Sequence, residues 1–273
     1  MKEVDFCHTE SWAAQPKLLT QCYKGSKPSG NYAIDPTNPK TYDFLTALFT
    51  EILERFPDQY VHLGGDEVSF DCWLSNPYVK QYMKVYNIST GAQLEQLYIK
   101  RLLWLVERAR NDTEYLVWQE VFDNGVKVRP QTIIHEWKSN SVEARKKEFL
   151  AVTSSGLRLV TSSCWYLNYI HYGIDWKPLY ACDPQDFDGT PEEKKLVVGG
   201  EACMWGEYVD ATNLIARTWP RASVVAERLW SRQNQTDAEE FSHRLEEHRC
   251  RLLARGHQVE PMNGPGFCPT EWP

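Results

Sequence analysis

Residues 60 to 68 read YVHLGGDEV, a short apolar run that ends in two glycines and two adjacent acids. Adjacent acids ordinarily occupy solvated turns, where water screens their repulsion. Here the pair stands directly behind a strand-like segment. Successive strand residues point to opposite faces, so Asp66 and Glu67 can face one ligand only where the backbone turns. Gly64 and Gly65 permit that turn, because glycine has no Cβ to forbid left-handed conformations.

Outward from this stretch the same design repeats. Strands are expected near residues 60–63, 115–118, 132–136, 158–162 and 196–204. Each ends in functional side chains: Gly64-Gly65-Asp66-Glu67, Trp118-Gln119-Glu120, His135-Glu136-Trp137, Trp165-Tyr166-Leu167-Asn168 and Trp205-Gly206-Glu207. Helical segments separate them. Asn38 and Pro39 have the chemistry of an N-cap and a first helical residue, and Phe44, Leu45, Leu48, Phe49, Ile52 and Leu53 follow at helical spacing until Pro57. A turn is expected at Pro77, and long amphipathic helices are expected over 92–110 and 236–256. Thr236 with Glu239 reads as a capping box for the second. The segment 214–230 is expected to be helical, with Pro220 starting or kinking one piece.

Strands alternating with helices imply a parallel α/β sheet. An open doubly wound sheet would carry a G-x-G-x-x-G phosphate turn, which the sequence lacks. Chemistry gathered at strand ends fits a (β/α)8 TIM-type barrel, whose site is built at the carboxyl ends of its strands. Five strand–helix units are visible where a closed barrel has eight, so the expected fold is part of such a barrel.

The bulk properties narrow the function. The 273-residue chain carries a net charge of -7, with 42% hydrophobic and 25% charged residues. That is the balance of a globular protein, and it argues against nucleic acid, which selects basic surfaces. No apolar run reaches the ~18 residues of a membrane span. The start, MKEVDFCHTESW, has no apolar signal region. Sequons at Asn87, Asn111 and Asn234 point to the secretory route. The eight cysteines show no C-x-x-C spacing, and His8, His62 and His135 form no H-x-x-x-H or facial-triad pattern with the acids. Neither a metal nor a cofactor is expected. Indoles and carboxylates at one mouth suit a sugar, whose C–H face packs on tryptophan and whose hydroxyls bond carboxylates.

The stretches HLGGDEV, VWQEVFDN, WYLN, GGEACMWGEYVDATNL and WPRAS, spread from about His8 to Cys268, resemble the family 20 glycoside hydrolases in the branch of the lysosomal β-N-acetylhexosaminidases. The resemblance implies removal of terminal GlcNAc or GalNAc from glycoconjugates by substrate-assisted retention, a known exception to the two-carboxylate scheme. It implies that Glu67 is the general acid, that Asp66 orients the acetamido N–H, and that the Tyr166 hydroxyl donates to the acetamido oxygen. Trp118, Trp137 and Trp205 resemble the walls around the N-acetyl methyl and the sugar ring, and Glu207 the acceptor for outer hydroxyls. An FDTPGH-like family segment is matched by EVDFCH, which retains only His8 as a support for the acid pair. The two positions after WYL, which tune tolerance of charged groups on C6, are Asn168 and Tyr169. The resemblance further implies Cys22–Cys72 and Cys250–Cys268 disulfides, a buried free Cys203, a lysosomal or secreted location, and homo- or heterodimers in the full-length family. Cys7, Cys164 and Cys182 stay unassigned.

As a domain, residues 1–273 are expected to be a partial catalytic barrel with a C-terminal helical extension, without the family's N-terminal non-catalytic domain, its first strands and its sugar-gripping arginine. A catalytically inactive, truncated product that binds sugar weakly or acts as a subunit-like partner is the alternative.

Overall fold

The computed structural model describes Trp12, residues 14–15 and residues 17–268. Cys7 and His8 lie outside the described residues. The chain divides into two compact units, 1–134 and 135–273.

The first unit opens with an antiparallel hairpin, β1 (Leu19–Lys24) and β2 (Lys27–Ile34), joined through Gly25 and Ser26. Helix α1 (Pro39–Arg55) follows. Its Asn38 cap accepts from the Lys40 N–H, and it buries Leu45, Phe49 and Leu53 along one stripe, the i, i+4, i+8 spacing of an amphipathic helix. Strand β3 (Tyr60–His62) leads to α2 (Phe70–Ser75), α3 (Pro77–Val85) and α4 (Gly91–Ala109). Pro77 is the first residue of α3 rather than a turn: Asn76 caps the helix, accepting from the N–H groups of Tyr78 and Val79. Proline at that position loses no hydrogen bond, since the first N–H groups of a helix have no internal partner. Strand β4 (Glu114–Trp118) pairs in parallel with β3, Tyr60 opposite Glu114, and α5 (Gln119–Asp123) follows.

The hairpin was not foreseen in the sequence, because Pro28, Gly25 and Gly30 interrupt the strand alternation. Long-range ties hold it instead. Cys22 is disulfide-bonded to Cys72 of α2, the Trp73 indole donates to the Ile34 carbonyl at 3.0 Å, and the Asn76 amide donates to the Gln21 carbonyl at 2.8 Å.

Strand β5 (Ile133–Glu136) runs through the boundary at residue 134, and all four of its residues are buried. The second unit continues with α6 (Val142–Ser154), β6 (Arg158–Thr161), α7 (Trp176–Ala181), α8 (Pro191–Lys195) and β7 (Val197–Gly200). It closes with α9 (Leu214–Thr218), α10 (Arg221–Trp230) and α11 (Ala238–Ala254). Strands β6 and β7 are parallel, Leu159 opposite Val197.

Two local expectations change here. Strand β7 ends at Gly200, four residues before the expected limit, and its continuation meets the neighbouring segment where the Glu201 N–H donates to the Thr161 carbonyl at 3.0 Å and at an isolated Tyr166–Cys203 bridge. Helix α11 is capped by Asp237, whose carboxylate accepts from the N–H groups of Glu239 and Glu240, so Thr236 forms no capping box. Asp is as good an N-cap as Thr or better, and it stands one residue closer to the helix. Pro220 separates α9 from α10.

The second unit's core is aromatic. Trp165, Trp176, Tyr180 and Phe241 are buried together with Val224 and Leu245, and the Tyr180 and Phe241 rings stack with centroids 4.6 Å apart. Disulfides join Cys164 to Cys182 and Cys250 to Cys268, while Cys203 is a buried free thiol. Among the described residues no helix is long and apolar enough to cross a membrane.

Candidate active site

In the first unit, the loop after β3 carries the acid pair. Pairing with β4 continues past the strand: the Leu63 N–H donates to the Leu116 carbonyl at 2.8 Å, and the Trp118 N–H to the Gly64 carbonyl at 3.0 Å. The chain then turns through three successive special conformations. Gly64 and Gly65 have φ of 74° and 104°, and Glu67 itself has φ of 51°. A non-glycine residue in the left-handed region costs about 1–3 kcal/mol and persists where its surroundings impose it, often at functional sites. The turn thus delivers Asp66 and Glu67 consecutively without strand alternation separating them. Glu67 is exposed and Asp66 half-buried.

His62 organises the start of this turn. Its Nδ1 accepts the Gly64 N–H at 3.1 Å, and its ring lies 4.5 Å from the Trp118 indole, centroid to centroid. A lone histidine on an apolar strand ordinarily reads as a core residue. The visible signal was its position, two residues before a glycine whose N–H a turn leaves unpaired. Both acids, His62 and the buried Glu95 of α4 line one cavity of about 380 Å³ whose wall is otherwise mainly apolar.

In the second unit, Trp137, Tyr166, Asn168, Trp205 and Glu207 all lie in segments that follow β5, β6 and β7. Tyr166 is the centre of this group. Its ring lies 6.4 Å from Trp137 and stacks on Tyr169 at 5.5 Å, and its hydroxyl interacts with Ser162 and Trp205. Burial, with the nearby Cys203 thiol, pushes the phenol above its usual range, so it remains a protonated donor. Burial also pushes the Cys203 thiol up to about 11, which keeps it an unreactive neutral group.

Asn168 is buried, and its Oδ1 has no hydrogen-bond partner. Glu207 is exposed. Beneath Tyr166, His135 Nε2 lies 3.0 Å from Ser162 Oγ and 3.6 Å from Glu201 Oε1. The wholly buried Glu136 accepts from Thr161 Oγ1 at 2.6 Å and from the Ser139 N–H at 3.2 Å. His135 and Glu136 therefore serve as struts between strand ends. Among the described residues no group of three His, Cys, Asp or Glu side chains could hold a metal ion. The sequon residues Asn87, Asn111 and Asn234 are all exposed.

In each unit parallel strands alternate with helices and end in functional side chains, the acids in the first and the phenol and indoles in the second, which is the pattern of an α/β protein. The chain belongs to glycosyl hydrolase family 20: the family model described as glycosyl hydrolase family 20, catalytic domain, matches residues 2–233. It is 51% identical over 267 residues to the beta-hexosaminidase subunit alpha of Rattus norvegicus, covering 97% of this chain and 50% of that protein. It is 46% identical to the beta-hexosaminidase subunit beta of Homo sapiens, again over 97% of this chain and 47% of that protein. The X-ray structure of the Flavobacterium johnsoniae chitobiase matches 91% of this chain and 38% of its own length, with a TM-score of 0.78 at 28% identity. The chain spans about half the length of the curated relatives it matches.

Proposed function

We propose that the chain is the C-terminal part of a (β/α)8 barrel and carries the catalytic acid pair of a β-N-acetylhexosaminidase, which removes terminal GlcNAc or GalNAc from glycoconjugates with retention. In this reading Glu67 protonates the glycosidic oxygen while the substrate's own acetamido oxygen bonds to the anomeric carbon and the glycosidic bond breaks. Asp66 accepts the acetamido N–H and offsets the positive charge that develops on the oxazolinium ring, and Tyr166 donates to the acetamido oxygen. Glu67, now a carboxylate, takes a proton from water as that water's oxygen opens the ring at the anomeric carbon. Water is the only reactant besides the glycoside, and no side-chain nucleophile or cofactor enters the balance.

Trp118, Trp137 and Trp205 would pack on the sugar and its N-acetyl methyl, Glu207 and Asn168 would bond outer hydroxyls, and His8 would support the acid pair. The observation that carries the reading is the turn at Gly64–Glu67, which holds two acids side by side at a strand end in a strained backbone. The names of the relatives, beta-hexosaminidase subunits alpha and beta, support it. The word subunit in both names supports association with a like or related subunit, and the exposed sequon residues Asn87, Asn111 and Asn234 support glycosylation on the way to a lysosomal or secreted location.

Turnover of an aryl N-acetyl-β-glucosaminide by the parent chain and by Glu67→Gln tests this. The expected result is a fall of about 10²–10⁴-fold, the usual contribution of a general acid. Equal rates in the two proteins would overturn it in favour of a non-catalytic sugar-binding polypeptide.

A further inference from the structure

Beneath the acid-bearing turn lies a carboxyl group that the proposed reaction does not use. Glu95 is 1% exposed, on the face of α4 that also carries Ile99 one turn later. Ile99 and Val121 are the side chains that a β-carbon on Gly65 would meet, so this face of α4 and the start of α5 form the floor of the turn. One oxygen of Glu95, Oε2, accepts from Asn124 Nδ2 at 2.9 Å. The other, Oε1, is buried without a hydrogen-bond partner. An ionised carboxylate needs several donors when buried, whereas a neutral carboxyl needs fewer. One amide is a poor shell for a charge.

Among the described residues no lysine or arginine lines the cavity that Glu95 shares with the turn. The titratable groups on the shared cavity wall are Asp66, Glu67 and His62 from the β3 side and Tyr98 from α4, and Glu120 of α5 adds a like charge. The side chains that α1 turns to the cavity are apolar.

We propose that Glu95 is a positioning residue that carries a proton, and that the Gly64–Glu67 turn keeps its catalytic shape only while that proton is in place. Burial pushes the Glu95 carboxyl up to about 7, with the neighbouring Glu120 adding to the shift and the Asn124 hydrogen bond opposing it. The native chain therefore holds one more proton here than the unfolded chain between the ordinary glutamate range of about 4.3 and neutrality. Stability tied to the neutral form is intact below that range and is lost as pH rises towards 7. Rising pH places an uncompensated charge under Gly65, and the turn relaxes. An acidic working range is thus built into the floor of the turn as well as into the acid pair. The catalytic half of this proposal rests on the function proposed above; the stability half does not.

The test compares the parent chain, Glu95→Gln and Glu67→Gln from about pH 4.5 to 8 by thermal melting, and by kcat/KM on an aryl N-acetylglucosaminide. Glutamine keeps the shape and accepts the Asn124 bond but cannot ionise. The expected melting difference between Glu95→Gln and the parent is smallest at the acid end, grows in favour of the variant as pH rises from about 4.5 to about 7, and levels off above that. Its alkaline activity limb should move upward by about one pH unit, with KM little changed, whereas Glu67→Gln should lose turnover and keep the parent's melting profile. Parallel melting curves across the range would overturn the proposal. If Glu95→Gln does not fold, difference infrared spectroscopy of the parent decides: a buried carboxyl band that disappears between about pH 6 and 8 supports it, and its absence overturns it. Should no variant differ from the parent in turnover, the functional reading fails while melting still decides the role of Glu95.

Discussion

Gly65 and Val121 approach so closely that a β-carbon on the glycine would overlap the valine Cγ2 methyl. The glycine is therefore required twice, once by its φ of 104° and once by this contact. Gly65→Ala should destabilise the chain by about 2 kcal/mol through overpacking, and the Glu67→Gln comparison should lose its contrast because the acid pair is displaced. Urea unfolding measures the first effect, and an unchanged midpoint would show that Val121 yields freely.

Tyr166 stays protonated because burial opposes its ionisation. Tyr166→Phe preserves the ring contacts with Trp137 and Tyr169 and removes the hydroxyl together with its interactions with Ser162 and Trp205. If the donor serves the acetamido oxygen, kcat should fall by about 10²–10³-fold, as for loss of one oxyanion-type donor, with stability nearly unchanged. Because its pKa lies above the usual range, the parent's alkaline activity limb should not arise from this residue. A variant with full kcat would remove Tyr166 from the mechanism.

The Cys164–Cys182 disulfide closes a loop of sequence separation 18 directly beside Trp165 and Tyr166. The Cys164→Ala, Cys182→Ala double variant should lose about 2–4 kcal/mol, the usual value for a loop of this length. Denaturant midpoints without reductant give the comparison. A parent chain that retains two free thiols at these positions under oxidising conditions would contradict the pairing.

Arg221 is almost wholly buried, with Nη1 donating to the Leu167 carbonyl at 2.8 Å and to the Arg217 carbonyl at 2.9 Å. Its Nε faces Asp175 at 3.1 Å and Glu260 at 3.8 Å. Asp175→Asn leaves a buried cation with only the more distant carboxylate and should cost about 3 kcal/mol. Because Arg221 bonds the Leu167 carbonyl, near Tyr166 and Asn168, the variant should also raise KM. A neutral outcome in thermal unfolding would mean that Glu260 alone compensates the charge.

Much of the sheet was legible because its signals are local. Asn38-Pro39 and the stripe through Leu45, Phe49 and Leu53 specify α1 without reference to the rest of the chain. The strands near 60, 115, 133, 158 and 197 stand out because polar and aromatic residues end each apolar run. The hairpin at 19–34 was illegible because a disulfide and side-chain bonds to α2 hold it, and such ties leave no local period. The Cys164–Cys182 pair was hidden for the same reason.

At the candidate site, the positions of Asp66, Glu67, Trp118, Trp137, Tyr166 and Trp205 at strand ends could be read from sequence. The work of His62 and Glu95 could not. A histidine capping a turn and a carboxyl forming its floor both look like ordinary strand and helix residues until neighbouring elements are packed against them.

The hydrogen bond from the Trp118 N–H to the Gly64 carbonyl has a consequence for how this loop can vary. The register of the acid pair is set by counting main-chain units from the last rung shared with the adjacent strand. Exchange of a side chain at the turn is limited by the two glycines and by the floor beneath them, but it leaves the count intact. One residue inserted or deleted between Leu63 and Asp66 moves both carboxylates at once, so the length of the loop is as constrained as its spelling.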